Sequence, residues 1–239
     1  MNKSINYRVL TIIFIACSIY FLPSCTRKSP KQRILIAQSY LRQGLVEVQH
    51  RQYKKAINLI NRSLDCHKTI EALALKATLL YQIGLFTESI ALFENLINDT
   101  TVSLPLKADI LNNYACVLSN SNKRDDAEKI WRALIHNEHY LTHEVAWYNI
   151  GRLKYDMHDF AQARIYFDHA VHISPDYIDA LWYSALCSYA LKEYSLARKR
   201  VFTIIEFAPN HRAAHELLEQ LSRQSPYVNL QQQSPDTLP

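Results

Sequence analysis

From Gln32 to Arg223 the apolar residues recur with the 3.6-residue period of amphipathic helices. The stretch EVAWYNIGRLKYDMHDFAQARIYFDHAVHISPDY, beginning at Glu144, shows how the pattern is organised. Large residues fall at its positions 4, 7, 17 and 24 (Trp147, Ile150, Phe160, Phe167). Small ones fall at positions 8, 20 and 27 (Gly151, Ala163, Ala170), and Pro175 follows at position 32. Small residues let two helices cross closely, large ones fill the space around the crossing, and the proline stops the second helix. The pattern therefore predicts a helical hairpin.

The hairpin repeats. A unit from Ile178 has Leu181, Ala185, Tyr194, Ala197, Val201 and Pro209 in register, and one from Ala108 has Leu111, Tyr114, Ala115, Ala127, Trp131 and Leu134. Weaker copies start at Ile70 (Leu73, Ala77, Gly84, Phe86, Ser89, Phe93) and Ala37 (Tyr40, Gly44, Tyr53, Ala56, Ile60). Successive starts are 33, 38, 36 and 34 residues apart, and the excess at the second junction predicts a longer loop over 98–107. A last amphipathic helix, 211–223, carries Ala214, Leu217, Leu218 and Leu221 on one stripe and would cover the terminal hairpin. The spacing resembles the tetratricopeptide repeat. That resemblance implies an all-α, right-handed superhelical solenoid of about five repeats (37–69, 70–107, 108–143, 144–177, 178–211) plus a C-terminal capping helix. The tail 224–239, rich in Gln, Ser and Pro, is expected to be disordered.

Residues 1–24 read as a secretory signal: Lys3 and Arg8, a mostly apolar run from Val9 to Leu22, then Pro23. The run is too short to span a bilayer, which takes roughly 20 apolar residues. Leu22-Pro23-Ser24-Cys25 resembles the lipobox of bacterial lipoproteins, although Pro23 departs from the usual small or aliphatic residue. The resemblance implies acylation of Cys25, cleavage before it, and a polar tether over 26–31. Thr26 rather than Asp after the cysteine implies the outer membrane, periplasmic face. Covalent lipid on Cys25 is the sole cofactor-like group expected.

Composition removes other classes. Net charge is +5, or +3 once Lys3 and Arg8 leave with the signal, too mild for a nucleic-acid binder without a dense basic stripe. Only three glycines argue against a hairpin-rich β fold. Cys66, Cys116 and Cys187 read as small buried residues, with one disulfide among them open in an oxidising compartment. No catalytic motif stands out, so no enzyme and no small-molecule substrate are expected. His136, His139 and His143 cluster, and His169 and His172 are three apart, but neither set offers the convergent ligands zinc needs. No metal site is expected.

Function should then lie on a surface. Repeat positions 2, 5, 9, 12 and 13 point to the inner face in the resembled fold. They place Glu71, Thr78 and Tyr81, then Asn112, then Tyr148, Arg152 and Tyr155, then Trp182, Leu186 and Tyr189 along a partner-binding groove. Tyr, Trp and Arg are the types that dominate interface hot spots. The rival reading packs these aromatics between neighbouring helices. The unit DILNNYACVLSNSNKRDDAEKIWRALI narrows the partner. Asn112, Asn113, Tyr114, Leu118, Ala127 and Trp131 resemble the third repeat of the type IV pilus biogenesis/stability lipoproteins (the PilW/PilF pilotins), with Ala115 and Ser119 replacing a glycine and a cysteine. The resemblance implies binding of the secretin subunit and promotion of its outer-membrane localisation or multimerisation. The alternative is a periplasmic adaptor for other envelope proteins, such as cell-wall hydrolases or proteases.

Overall fold

The computed structural model describes residues 28–224. The signal at 1–24, Cys25 and the tail from 225 lie outside the described residues. Eleven helices and no strand are found among those described: α1 (Pro30–Gln49), α2 (Tyr53–Cys66), α3 (Ile70–Gln82), α4 (Phe86–Asn98), α5 (Leu104–Asn120), α6 (Arg124–Ile135), α7 (His143–Asp156), α8 (Phe160–Ile173), α9 (Ile178–Ala190), α10 (Tyr194–Phe207) and α11 (Arg212–Gln224). None is long and apolar enough to cross a membrane.

The helices pair as hairpins in two compact units, one ending at Val102 and one beginning at Ser103. The first holds α1–α4. The second holds α5–α11, in which each hairpin packs on the next and α11 closes the last. Its Ala214, Leu217 and Leu221 are buried against Leu181, Ala185, Val201 and Ile204.

Each hairpin is built on the same positions. Position 8 (Gly44, Ala77, Ala115, Gly151, Ala185) and position 20 (Ala56, Ser89, Ala127, Ala163, Ala197) are buried throughout. The serine among the alanines satisfies itself locally: the Ser89 hydroxyl donates to the Ala77 carbonyl at 2.7 Å. Position 15, between the two helices, has positive φ in every hairpin: Arg51 at 57°, Gly84 at 84°, Asn122 at 62°, His158 at 60° and Lys192 at 62°. A left-handed residue there reverses the chain tightly, which glycine does without steric strain and the others do at a cost.

Two boundaries differ from the sequence expectation. The long loop expected at 98–107 is shorter, because α5 begins at Leu104 with Pro105 in its first turn. Proline is tolerated there because the first N–H groups lack helical partners anyway. The polar tether likewise ends early. Ser29 caps α1, accepting from the Gln32 backbone N–H while the Gln32 side chain accepts from the Ser29 N–H, and Pro30 follows at the first helical position.

Candidate functional site

The predicted groove residues divide by what they touch. In the first unit Glu71, Thr78 and Tyr81 lie on α3, with Glu71 exposed and the other two half-buried. The Thr78 hydroxyl turns back to the Ala74 carbonyl at 3.1 Å, and Tyr81 packs on Phe86 with ring centroids 5.6 Å apart.

In the second unit, Asn112 on α5 is taken up by the fold. Its Oδ1 accepts from the Trp131 indole N–H at 3.1 Å and from Asn149 Nδ2 at 3.0 Å. That carbonyl oxygen is therefore engaged within the fold, while the half-buried side chain keeps its Nδ2 donor. Neighbouring Cys116 has its thiol pushed up to about 11 by burial.

Tyr148, Arg152 and Tyr155, at successive turns of α7, do converge. They meet on Tyr183 of α9, which the groove positions did not include. Tyr183 lies 6.1 Å from Tyr148, 5.1 Å from Tyr155 and 5.4 Å from Phe167, stacked on the last. Tyr177 and Phe160 complete the cluster, 5.1 Å from Tyr148 and 5.3 Å from Tyr155. The Arg152 guanidinium sits 4.2 Å over the Tyr183 ring and its Nη1 donates to the Tyr183 hydroxyl at 2.7 Å. Burial works against that charge, but the hydrogen bond to Tyr148 and the nearby phenol oxygens outweigh it and raise the guanidinium pKa. Burial raises Tyr148 and Tyr155 from the ordinary phenol value. The cluster is thus an aromatic platform that carries the Arg152 guanidinium, whose Nη2 also pairs with the Asp156 carboxylate at 3.8 Å.

A single geometric rule explains why Tyr183 was missed. It occupies position 6 of its repeat and reaches back to positions 5, 9 and 12 of the preceding one. Asn149, position 6 of its own repeat, does the same to Asn112 and Cys116. The signal in the sequence is a ring or amide 28–37 residues after its contact, far beyond the range of helical periodicity.

Trp182, Leu186 and Tyr189 on α9 are half-buried against the terminal core, Trp182 with its ring 5.3 Å from His211 and Tyr189 5.7 Å from Tyr194. Ion pairs also link these hairpins. Glu128 holds Lys154 at 2.7 Å and Arg132 at 2.7 Å. Arg164 pairs with Glu193. Asp168 takes Arg200 at 2.7 Å and the Ser184 hydroxyl at 2.6 Å. Burial tends to raise the Glu128 carboxyl, but its two cationic partners hold it below its ordinary value.

Among the described residues no three His, Cys, Asp or Glu side chains are arranged to hold a metal ion. His143 faces the Asn137 carbonyl at 3.1 Å, and His169 stacks on Trp147 at 4.3 Å. Cys116 and Cys187 carry free thiols, so Cys66, Cys116 and Cys187 form no disulfide among themselves. Cys66 is disulfide-bonded.

Helical hairpins with small residues at fixed crossings define a helical-repeat protein. Residues 154–221 match the family model of the tetratricopeptide repeat, and the chain has that fold. No curated protein matches it. Among solved structures it is similar to Pseudomonas aeruginosa pilF, at 18% identity over 81% of this chain and 86% of that one, with a TM-score of 0.65. PilW, a widely conserved type IV pilus biogenesis factor, is similar at 17% identity over 80% of this chain and 94% of that one, with a TM-score of 0.59. YrrB, a tetratricopeptide-repeat protein with an unusual peptide-binding site, is similar at 13% identity over 75% and 90%, with a TM-score of 0.50.

Proposed function

We propose that this protein is an outer-membrane lipoprotein of the pilotin type. In this reading it binds the secretin of a type IV pilus machine and promotes its localisation or multimerisation. The observation that carries the proposal is the joint one: a lipobox-like Leu22–Cys25 ahead of a repeat fold similar over four fifths of its length to pilF and PilW. Lipid on Cys25 anchors the chain at the periplasmic face. The α7–α9 platform takes a segment of the secretin, with Tyr148, Tyr155 and Trp182 supplying contact area and Arg152 its charge. Anchored pairs then concentrate secretin subunits on a surface, which raises their effective concentration without making or breaking a bond.

Deleting the gene should remove the heat-resistant, high-mass secretin band, and reintroduction should restore it. Intact multimers in the deletion would refute the pilotin reading and favour the envelope-adaptor alternative. Radioactive palmitate should label the protein and fail to label Cys25→Ala. Peptide mapping that joined Cys66 to Cys25 through a disulfide would overturn the anchor.

A further inference from the structure

The outer face of α1 carries a second feature that the aromatic platform does not explain. From Thr26 to Val46 the chain has five basic residues (Arg27, Lys28, Lys31, Arg33, Arg42) and no Asp or Glu. At 100° per residue, Lys31, Leu35, Arg42 and Val46 fall within an arc of about 60° on the helix. Buried Ala37 and Gly44 lie on the opposite side. Leu35 is 65% exposed and Val46 46%, with Leu45 also 46% exposed at the edge of the arc. Lys31 and Arg42 are exposed as well. Arg33, by contrast, turns inward, its Nε donating to the Cys66 carbonyl at 2.9 Å, and is not part of this face.

We infer that this face of α1 lies on the bilayer surface and binds anionic phospholipid headgroups, an inference that rests on the lipid-anchor reading above. Three facts select a membrane as the occupant. Cys25 is five residues from Pro30, so even a fully extended tether of about 18 Å holds α1 at the surface. The face is basic and lacks any compensating acid, which suits an anionic leaflet and disfavours a second copy of the same face. Its apolar residues, Leu35 and Val46, are spaced about 16 Å along the helix and interleaved with the cations, the arrangement of a helix lying in an interface. The consequence is orientation. With α1 flat on the bilayer, the first unit is held in one attitude rather than swinging about its anchor.

The test uses the chain from residue 25 onward with Cys25→Ser, which cannot be acylated, and sedimentation with vesicles. The protein should pellet with phosphatidylethanolamine vesicles containing a quarter phosphatidylglycerol and much less with phosphatidylethanolamine–phosphatidylcholine vesicles. High salt should release it. Lys31→Gln with Arg42→Gln should weaken partitioning about 25-fold, from roughly fivefold per lost cation. Leu35→Ser with Val46→Ser should weaken it while leaving the helical circular dichroism unchanged. Equal binding to both vesicle types, or none to either, overturns the inference. So does a solution dimer that the Leu35→Ser, Val46→Ser pair dissociates, since the face would then be a self-interface. Palmitate labelling of the wild-type protein reads the anchor separately, so failure of one idea is distinguishable from failure of the other.

Discussion

Gly151→Ala is the sharpest probe of the fold beneath the aromatic platform. A Cβ at Gly151 would lie 2.8 Å from both Cδ1 and Cε1 of Phe167 and 3.1 Å from its Cγ. Phe167 is fully buried and stacked on Tyr183, so it has little room to yield. Two effects oppose each other. Alanine in place of glycine inside a helix gains about 1 kcal/mol. Overpacking a filled core costs about 1–3 kcal/mol. The net expectation is a loss of about 1 kcal/mol, with the Tyr148–Tyr183 contacts displaced. The terminal hairpin shows how the clash is relieved: its equivalent pair is Ala185 and Val201, both fully buried. In a Phe167→Val background, then, Gly151→Ala should reverse sign and stabilise by about 1 kcal/mol, since only the helix preference remains. The assay is urea unfolding followed by circular dichroism on the four proteins of the cycle, with unchanged slopes required for the comparison. If Gly151→Ala stabilised the wild-type background by the full helix preference, the close approach would not be constraining and the reasoning would fail.

At position 15, Gly84→Ala should cost about 1 kcal/mol because its φ of 84° disfavours a side chain, whereas Lys192→Gly should be neutral or slightly stabilising; thermal melts distinguish them. Asp168→Ala should destabilise by about 2 kcal/mol, leaving Arg200 partly buried without its carboxylate; Asp168→Leu with Arg200→Met should recover most of the loss, as read by urea titration. Cys116 and Cys187 should resist maleimide in the native protein at neutral pH, since burial pushes their thiols up to about 11 and about 12; native labelling as fast as that of the unfolded chain would contradict this. The same shifts make stability fall as pH rises. Thiols and buried phenols, among them Tyr140 at about 12, stay protonated in the fold while the unfolded chain ionises from about pH 9–10, so the folded state loses ground above that point. Alkaline unfolding should begin there, read as loss of the helical circular dichroism signal.

The helices, their pairing and their register were legible in the sequence. Apolar spacing of three and four residues is a local constraint, and small residues at positions 8 and 20 announce a close crossing within one hairpin. Trp131 at position 24 and Ala127 at position 20 could be assigned from letters alone for that reason. What the letters did not decide is how one hairpin seats on the next. Asn112 was expected to face a partner, and its Oδ1 also holds Trp131 and Asn149. Tyr183 looked like one aromatic among fifteen tyrosines, yet it gathers Tyr148, Arg152 and Tyr155 from the preceding repeat. The contacts between repeats join residues 28–37 apart through the offset and rotation between stacked hairpins. That offset is an outcome of packing summed over the whole interface, not a property of any one repeat. Periodicity therefore determined which faces are buried, and only the tertiary structure decided which side chains meet across them and which remain for a partner.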